Sequence, residues 1–304
     1  MPLHRFAVLT AVATLGLIFA GGLVTSTESG LSVPDWPLSY GKLMPPMVGG
    51  VAYEHGHRMV ATTVGILTII LAVWLARREP RRSIRRLGWI ALGAVVLQGI
   101  LGGLTVRFLL PTPISVAHAC LAQTFFCLTV VLAVVTSPRW ERGVGRELVT
   151  RLAIATASAV FLQLLIGAVM RHNKAGLAIP DFPLSLGRVI PPLDSFPVLI
   201  AFAHRAWALV VAALVFATIA AAARSGRRGL RRTAMVLGAI VIAQIALGAT
   251  TILSRRGVAI TTAHVAAGAL LLGTAVALAI GSLARPLLTA VSARPAERKV
   301  FTWK

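Results

Sequence analysis

Eight uncharged apolar runs divide this chain, at 6–24, 59–76, 87–106, 108–138, 152–170, 206–223, 233–254 and 257–284. Each is long enough for a helix to cross a bilayer, which takes roughly 20 residues. A chain built this way has few alternatives to a bundle of membrane-spanning helices, because the backbone of each run must satisfy its own hydrogen bonds in lipid. Composition agrees: 57% of the 304 residues are hydrophobic and 13% charged, against about a quarter charged in soluble domains. The first run follows a short basic segment, Met1–Arg5, as a signal peptide would. Its counterpart in the second half, the fifth run, lies mid-chain and cannot be a signal, so the first is read as a true span.

The second constraint is duplication. The stretch GGLVTSTESGLSVPDWPLSYGKLMPPMVGGVAYEHGHR, from Gly21 to Arg58, returns as GAVMRHNKAGLAIPDFPLSLGRVIPPLDSFPVLIAFAHR, from Gly167 to Arg205. Pro34-Asp35 falls on Pro180-Asp181, Pro45-Pro46 on Pro191-Pro192, and His57-Arg58 on His204-Arg205. A second pair, LQGILGGLTV before His118 and AQIALGATTI before His264, aligns Gln98 with Gln244 and Gly102 with Gly248. The expected fold is therefore an all-α integral membrane protein of eight transmembrane helices, arranged as two tandem four-helix bundles related by a parallel internal repeat. Its expected divisions are 1–140, 150–284 and a basic tail, 285–304.

Of the 30 Lys and Arg, 21 lie at Arg5, in the second, fourth and sixth links and in the tail. The positive-inside rule makes that side cytoplasmic, so both termini are expected in the cytoplasm of a multi-pass cell (inner) membrane protein. The net charge of +21 then marks topology and anionic lipid rather than nucleic acid. Two Pro- and Gly-rich motif loops face outwards, with Asp35 and Asp181 expected to cap turns there. Cys120 and Cys127 share one apolar run and read as packing residues.

Four of the seven histidines, His57, His118, His204 and His264, occupy repeat-equivalent places near the outer side. One such histidine is as readily a helix–helix hydrogen bond as a ligand, but four in register point to function. Zinc would ask for further Cys, His or carboxylate ligands, and few are available at that depth. Two axial imidazoles in an apolar bundle suit a b-type haem. His4, His55 and His172 have no repeat partner and read as interfacial. Arg58 and Arg205 follow a histidine directly, placed either to snorkel or to clasp a haem propionate. Glu54 precedes His57 by three residues, on the same helical face, while Ala201 stands before His204. A carboxylate there could relay protons, or simply pair with Arg58. Its presence in one copy alone implies two haem sites with different work.

Together, the Gly-Leu-Ser-Val-Pro-Asp-Trp-Pro-Leu loop, Glu54-x-x-His57-Arg58, the run from Leu101 to Val106, and His118, His204 and His264 resemble the haem A synthases of cytochrome oxidase assembly. That resemblance implies a membrane oxidoreductase converting the C8 methyl of haem O to the formyl of haem A, by successive hydroxylations and loss of water. It implies that His57 and His118, with Arg58, hold the substrate haem beside an essential Glu54. His204 and His264, with Arg205, would ligate a resident haem b that passes electrons. Expected partners are haem O, the lipid bilayer, the haem O-making farnesyltransferase (the haem O synthase) and an electron acceptor, with no nucleic acid. Some bacterial members carry a cysteine pair in the first outer loop, and this loop has none. The main alternative is a bis-histidine membrane cytochrome b in electron transfer; a transporter fits less well, since its repeats are commonly inverted and its site near the midplane.

Overall fold

The computed structural model describes residues 3–138, 140 and 148–283. Over these residues it contains eight long helices: α1 Leu3–Ser26, α2 Gly50–Arg78, α3 Arg82–Arg107, α4 Thr112–Val135, α5 Leu148–His172, α6 Phe196–Arg224, α7 Arg228–Leu253 and α8 Val258–Ser282. The described residues form no β-strand, and one short 3-10 turn sits at Ala175–Leu177. All eight helices are long and apolar enough to cross a bilayer, as expected of a multi-pass membrane protein. The basic tail at 285–304, and residue 284 before it, lie outside the described residues.

Two helix starts differ from the hydropathy reading. Helices α2 and α6 begin at Gly50 and Phe196, between about two and three turns before the uncharged runs at 59 and 206. The runs are interrupted by Glu54, Arg58 and Arg205, but these side chains find partners within the protein, so the helix continues through them. Conversely α4 begins at Thr112, because Leu109 and Leu110 turn left-handed, with φ of 58° and 60°, and break the run that starts at 108.

The helices close into two rings. In one, α1 packs on α2 and α4, and α3 on α2 and α4; in the other, α5 packs on α6 and α8, and α7 on α6 and α8. Each ring has its own apolar core, one centred on Leu71, Leu75, Phe125 and Leu132, the other on Val160, Leu237, Leu272 and Leu278. Helices α1 and α4 of the first ring meet α5 and α8 of the second. A junction cluster of Ile18, Phe126 and Ala269 fills that seam. Small residues let the seam close: a Cβ on Gly273 would lie 2.7 Å from the Phe126 ring, the close approach that membrane helices use in place of a hydrophobic driving force. Outward faces carry Val12, Ile66, Ile90, Leu209, Phe216 and Ile242, all exposed and suited to lipid.

Opposite the loops, one arginine closes each ring. Arg81 donates to the carbonyl of Val135 at the end of α4, 2.9 Å away, and Arg227 donates to Ser282 and Gly281 at the end of α8. Both satisfy orphan carbonyls at a helix C-terminus, where a cation is favoured.

Candidate functional site

Each sequence-predicted histidine lies on an even-numbered helix, and each imidazole rests on a glycine of the helix before it. A Cβ on Gly21 of α1 would stand 3.1 Å from Cε1 of His57, one on Gly102 of α3 3.1 Å from His118, one on Gly167 of α5 3.0 Å from His204, and one on Gly248 of α7 3.1 Å from His264. Any larger residue would displace the ring, so the glycines fix where the imidazoles stand. In His57, His118 and His264 the Nδ1 atom is buried with no hydrogen-bond partner.

Glutamines one turn before three of these glycines share the same helical faces. The Gln98 amide donates to the His118 carbonyl, 3.0 Å away, and that of Gln163 to the His204 carbonyl, 2.9 Å away. The Gln163 amide also lies 3.2 and 3.3 Å from the two ring nitrogens of His204. On α1 the corresponding position is Leu17, which has no amide to offer His57.

The second pair can be tested for fit to a haem. The His204 and His264 rings have centroids 6.5 Å apart and planes inclined at 69°. Two imidazoles sharing one metal through bonds of about 2.0–2.1 Å would set their centroids about 6–6.5 Å apart. The spacing, the neutral nitrogen donors and the apolar bundle all suit axial ligation of haem iron. No group of three or more His, Cys, Asp or Glu able to hold a bare metal ion occurs among the described residues.

Two loops, 27–49 and 173–195, cover the histidine end of the bundles. The turn-capping expected of Asp35 and Asp181 is what they do. Asp35 accepts from the backbone N–H of Tyr40 and Gly41, and Asp181 from Leu186 and Gly187. These bonds hold Tyr40 and Leu186 in the left-handed region, φ 53° and 55°, a conformation that costs a non-glycine residue roughly 1–2 kcal/mol. Backbone donors, led by Gly41 and Gly187, keep both carboxyls below the ordinary aspartate pKa. The ring of Trp36 lies on Gly103 of α3, where a Cβ would come within 2.7 Å. Phe182 has Trp36's place in the second loop, and Ala249 that of Gly103.

Arg58 and Arg205 give their donors to these loops. Arg58 Nη1 reaches the carbonyls of Asp35 and Leu38, each 2.8 Å away, and Arg205 Nη1 that of Leu184 at 2.8 Å. The second terminal nitrogens differ. Arg205 Nη2 bonds the Ile179 carbonyl at 2.8 Å, whereas Arg58 Nη2 stands 3.5 Å from the matching Val33 carbonyl and 2.7 Å from Glu54 Oε1. Glu54 draws the guanidinium towards itself. Its other oxygen, Oε2, accepts from the Val33 N–H at 2.8 Å, and the residue is buried, 4% exposed. The pairing of Glu54 with Arg58 weighed from the sequence is present, and the carboxylate ties α2 to the loop.

His55, read as interfacial, is buried, with Nδ1 2.8 Å from Ser39 Oγ. The first loop thus closes on two ionisable residues of α2 that the second lacks, since Ala201 and Phe202 occupy their places. His4 lies near the start of α1, away from these loops, its Nδ1 3.0 Å from the Ala133 carbonyl of α4.

A family model described as cytochrome oxidase assembly protein, COX15-CtaA, matches residues 4–49 and 51–276. The chain belongs to this family. Among its relatives, a Heme A synthase of Symbiobacterium thermophilum is 35% identical over 79% of this chain and 82% of its own length. Heme A synthases of Halalkalibacterium halodurans and Caulobacter sp. are each 30% identical, over 86% and 90% of this chain and 92% and 94% of theirs. The four histidines, Glu54 and the two arginines stand out in the sequence itself. The glycine rests, Gln163 and the use of both arginines as loop ties emerge only in the structure. The Gln-x-x-x-Gly spacing at 98–102, 163–167 and 244–248 was the available signal.

Proposed function

We propose that the chain is a haem A synthase, an oxidoreductase that converts the C8 methyl of haem O into the formyl group of haem A in a membrane-embedded site. The observation that carries this reading is a carboxylate present in one of two pockets built on the same plan, in a member of this family. Both have a histidine pair, glycine rests and an arginine-held loop, and only the first has a buried carboxylate, Glu54, bound to Arg58 and the loop backbone. In this reading His57 and His118 hold the substrate haem O. Arg58 keeps the first loop over that pocket. Glu54 is the catalytic residue, accepting and returning protons as the methyl carbon is oxidised and the resulting diol loses water; general acid–base help of this kind contributes about 10²–10⁴-fold.

His204 and His264 would hold a resident haem b, with Arg205 keeping the second loop over it. When bound there, a haem b supplies a one-electron relay. The chain's own contribution is to fix both imidazoles against Gly167 and Gly248 and to orient His204 through Gln163. Both termini lie in the cytoplasm and the loops outside, as the arginine distribution indicates. The haem O-making farnesyltransferase and an electron acceptor are the partners this chemistry needs.

The test is expression in a host that makes haem O but has no haem A synthase, followed by extraction and mass analysis of the haems. Haem A should appear with the native chain. A folded, red protein accompanied only by haems B and O would overturn the synthase reading in favour of an electron-transfer cytochrome b.

A further inference from the structure

Arg171 stands on the second pocket without a counter-charge. Gln163, Gly167 and Arg171 are spaced by four along α5 and so share one face of the helix. The first two define what that face meets: the Gln163 amide bonds His204, and Gly167 rests against its ring. Arg171 lies one turn nearer the loops, about 6 Å along the axis. Its Nη2 donates to two neutral acceptors on α1, the Gly22 carbonyl at 3.2 Å and Ser26 Oγ at 3.1 Å. The ion pairs among the described residues are Glu54–Arg58, Glu79–Arg81 and Glu28–Arg256, and none of them involves Arg171. No hydrogen bond among the described residues engages its Nη1 or Nε.

A guanidinium at this depth without an anion is unfavourable, and Arg is suited to a planar, two-point grip on a carboxylate. Arg205, the arginine beside His204, has both terminal nitrogens on loop oxygens. The corresponding residue on α1 is Thr25, whose hydroxyl bonds its own helix at Gly21, so the first pocket has no equivalent cation on this stripe.

We propose that Arg171 is the carboxylate-binding residue of the second pocket, gripping a propionate of the haem held between His204 and His264. This rests on the haem-binding reading above. Because Nη2 also holds α1 beside Gly21, which supports His57, the same side chain links the two pockets.

The test uses the full-length chain in detergent with His57→Ala and His118→Ala, so that only the second pocket titrates. Iron protoporphyrin IX and its dimethyl ester are bound in parallel and followed by absorbance. The parent should prefer the diacid about tenfold, and Arg171→Gln should reduce that preference to near unity. Arg171→Lys, which keeps the charge and the α1 contact but not the two-point grip, should give an intermediate ratio. An undiminished preference in both variants would overturn the assignment and leave Arg171 as a tie between α5 and α1. Failure of the parent to bind either compound would instead overturn the haem-binding reading itself.

Discussion

At the scale of single residues, Glu54 and the four glycines make the sharpest claims. Glu54→Gln preserves shape and an acceptor for the Val33 N–H but removes the charge shared with Arg58. Haem A formation should fall about 10²–10⁴-fold while haem bound per chain stays at the native level, measured by extraction from the same preparation. A parallel loss of bound haem would make Glu54 a folding residue instead. Gly167→Val places a branched side chain where even a Cβ stands 3.0 Å from the His204 ring. It should abolish the bis-histidine spectrum of the second pocket and leave the first able to bind haem O. The histidines and Glu54 were legible in the sequence because chemistry-bearing residues are rare in apolar runs and repeat in register. The glycines were not, because an apolar helix contains many small residues and only the packed structure shows which ones an imidazole rests on.

At the scale of elements, the two loops behave as rigid covers held from both ends. Asp35 and Asp181 cap the turns, and Arg58 and Arg205 hold the strands of loop that follow. Both aspartates have folded pKa values below the ordinary 3.8, so their support is complete above that value and fades only as pH falls through the lowered one. Loop protection should therefore be flat from neutral pH down to about 4 and drop in stronger acid. Amide exchange at Tyr40, Gly41, Leu186 and Gly187 reads this directly; in Asp35→Asn the first pair should exchange faster at neutral pH, with Leu186 and Gly187 unchanged. The repeated Pro, Gly and Asp made the turns visible beforehand. The starts of α2 and α6 were not, since hydropathy stops at a charge, whereas Glu54 and Arg58 satisfy each other and let the helix run on.

At the scale of the whole molecule, eight spans were readable from apolar length alone, and the seam between the rings was not. That seam depends on close approaches such as Gly273 to Phe126 and Gly22 to Thr262 and Val265, which no periodicity announces. It joins the ring that carries His57 and His118 to the ring that carries His204 and His264. The division of labour is tested most directly by the haems retained in two double variants, expressed with a supply of haem O. His57→Ala with His118→Ala should keep a bis-histidine haem b and form no haem A. His204→Ala with His264→Ala should lose that haem b and still bind haem O. Equal losses of the same haem from both variants would contradict two distinct sites and place the chemistry and the resident haem in one pocket.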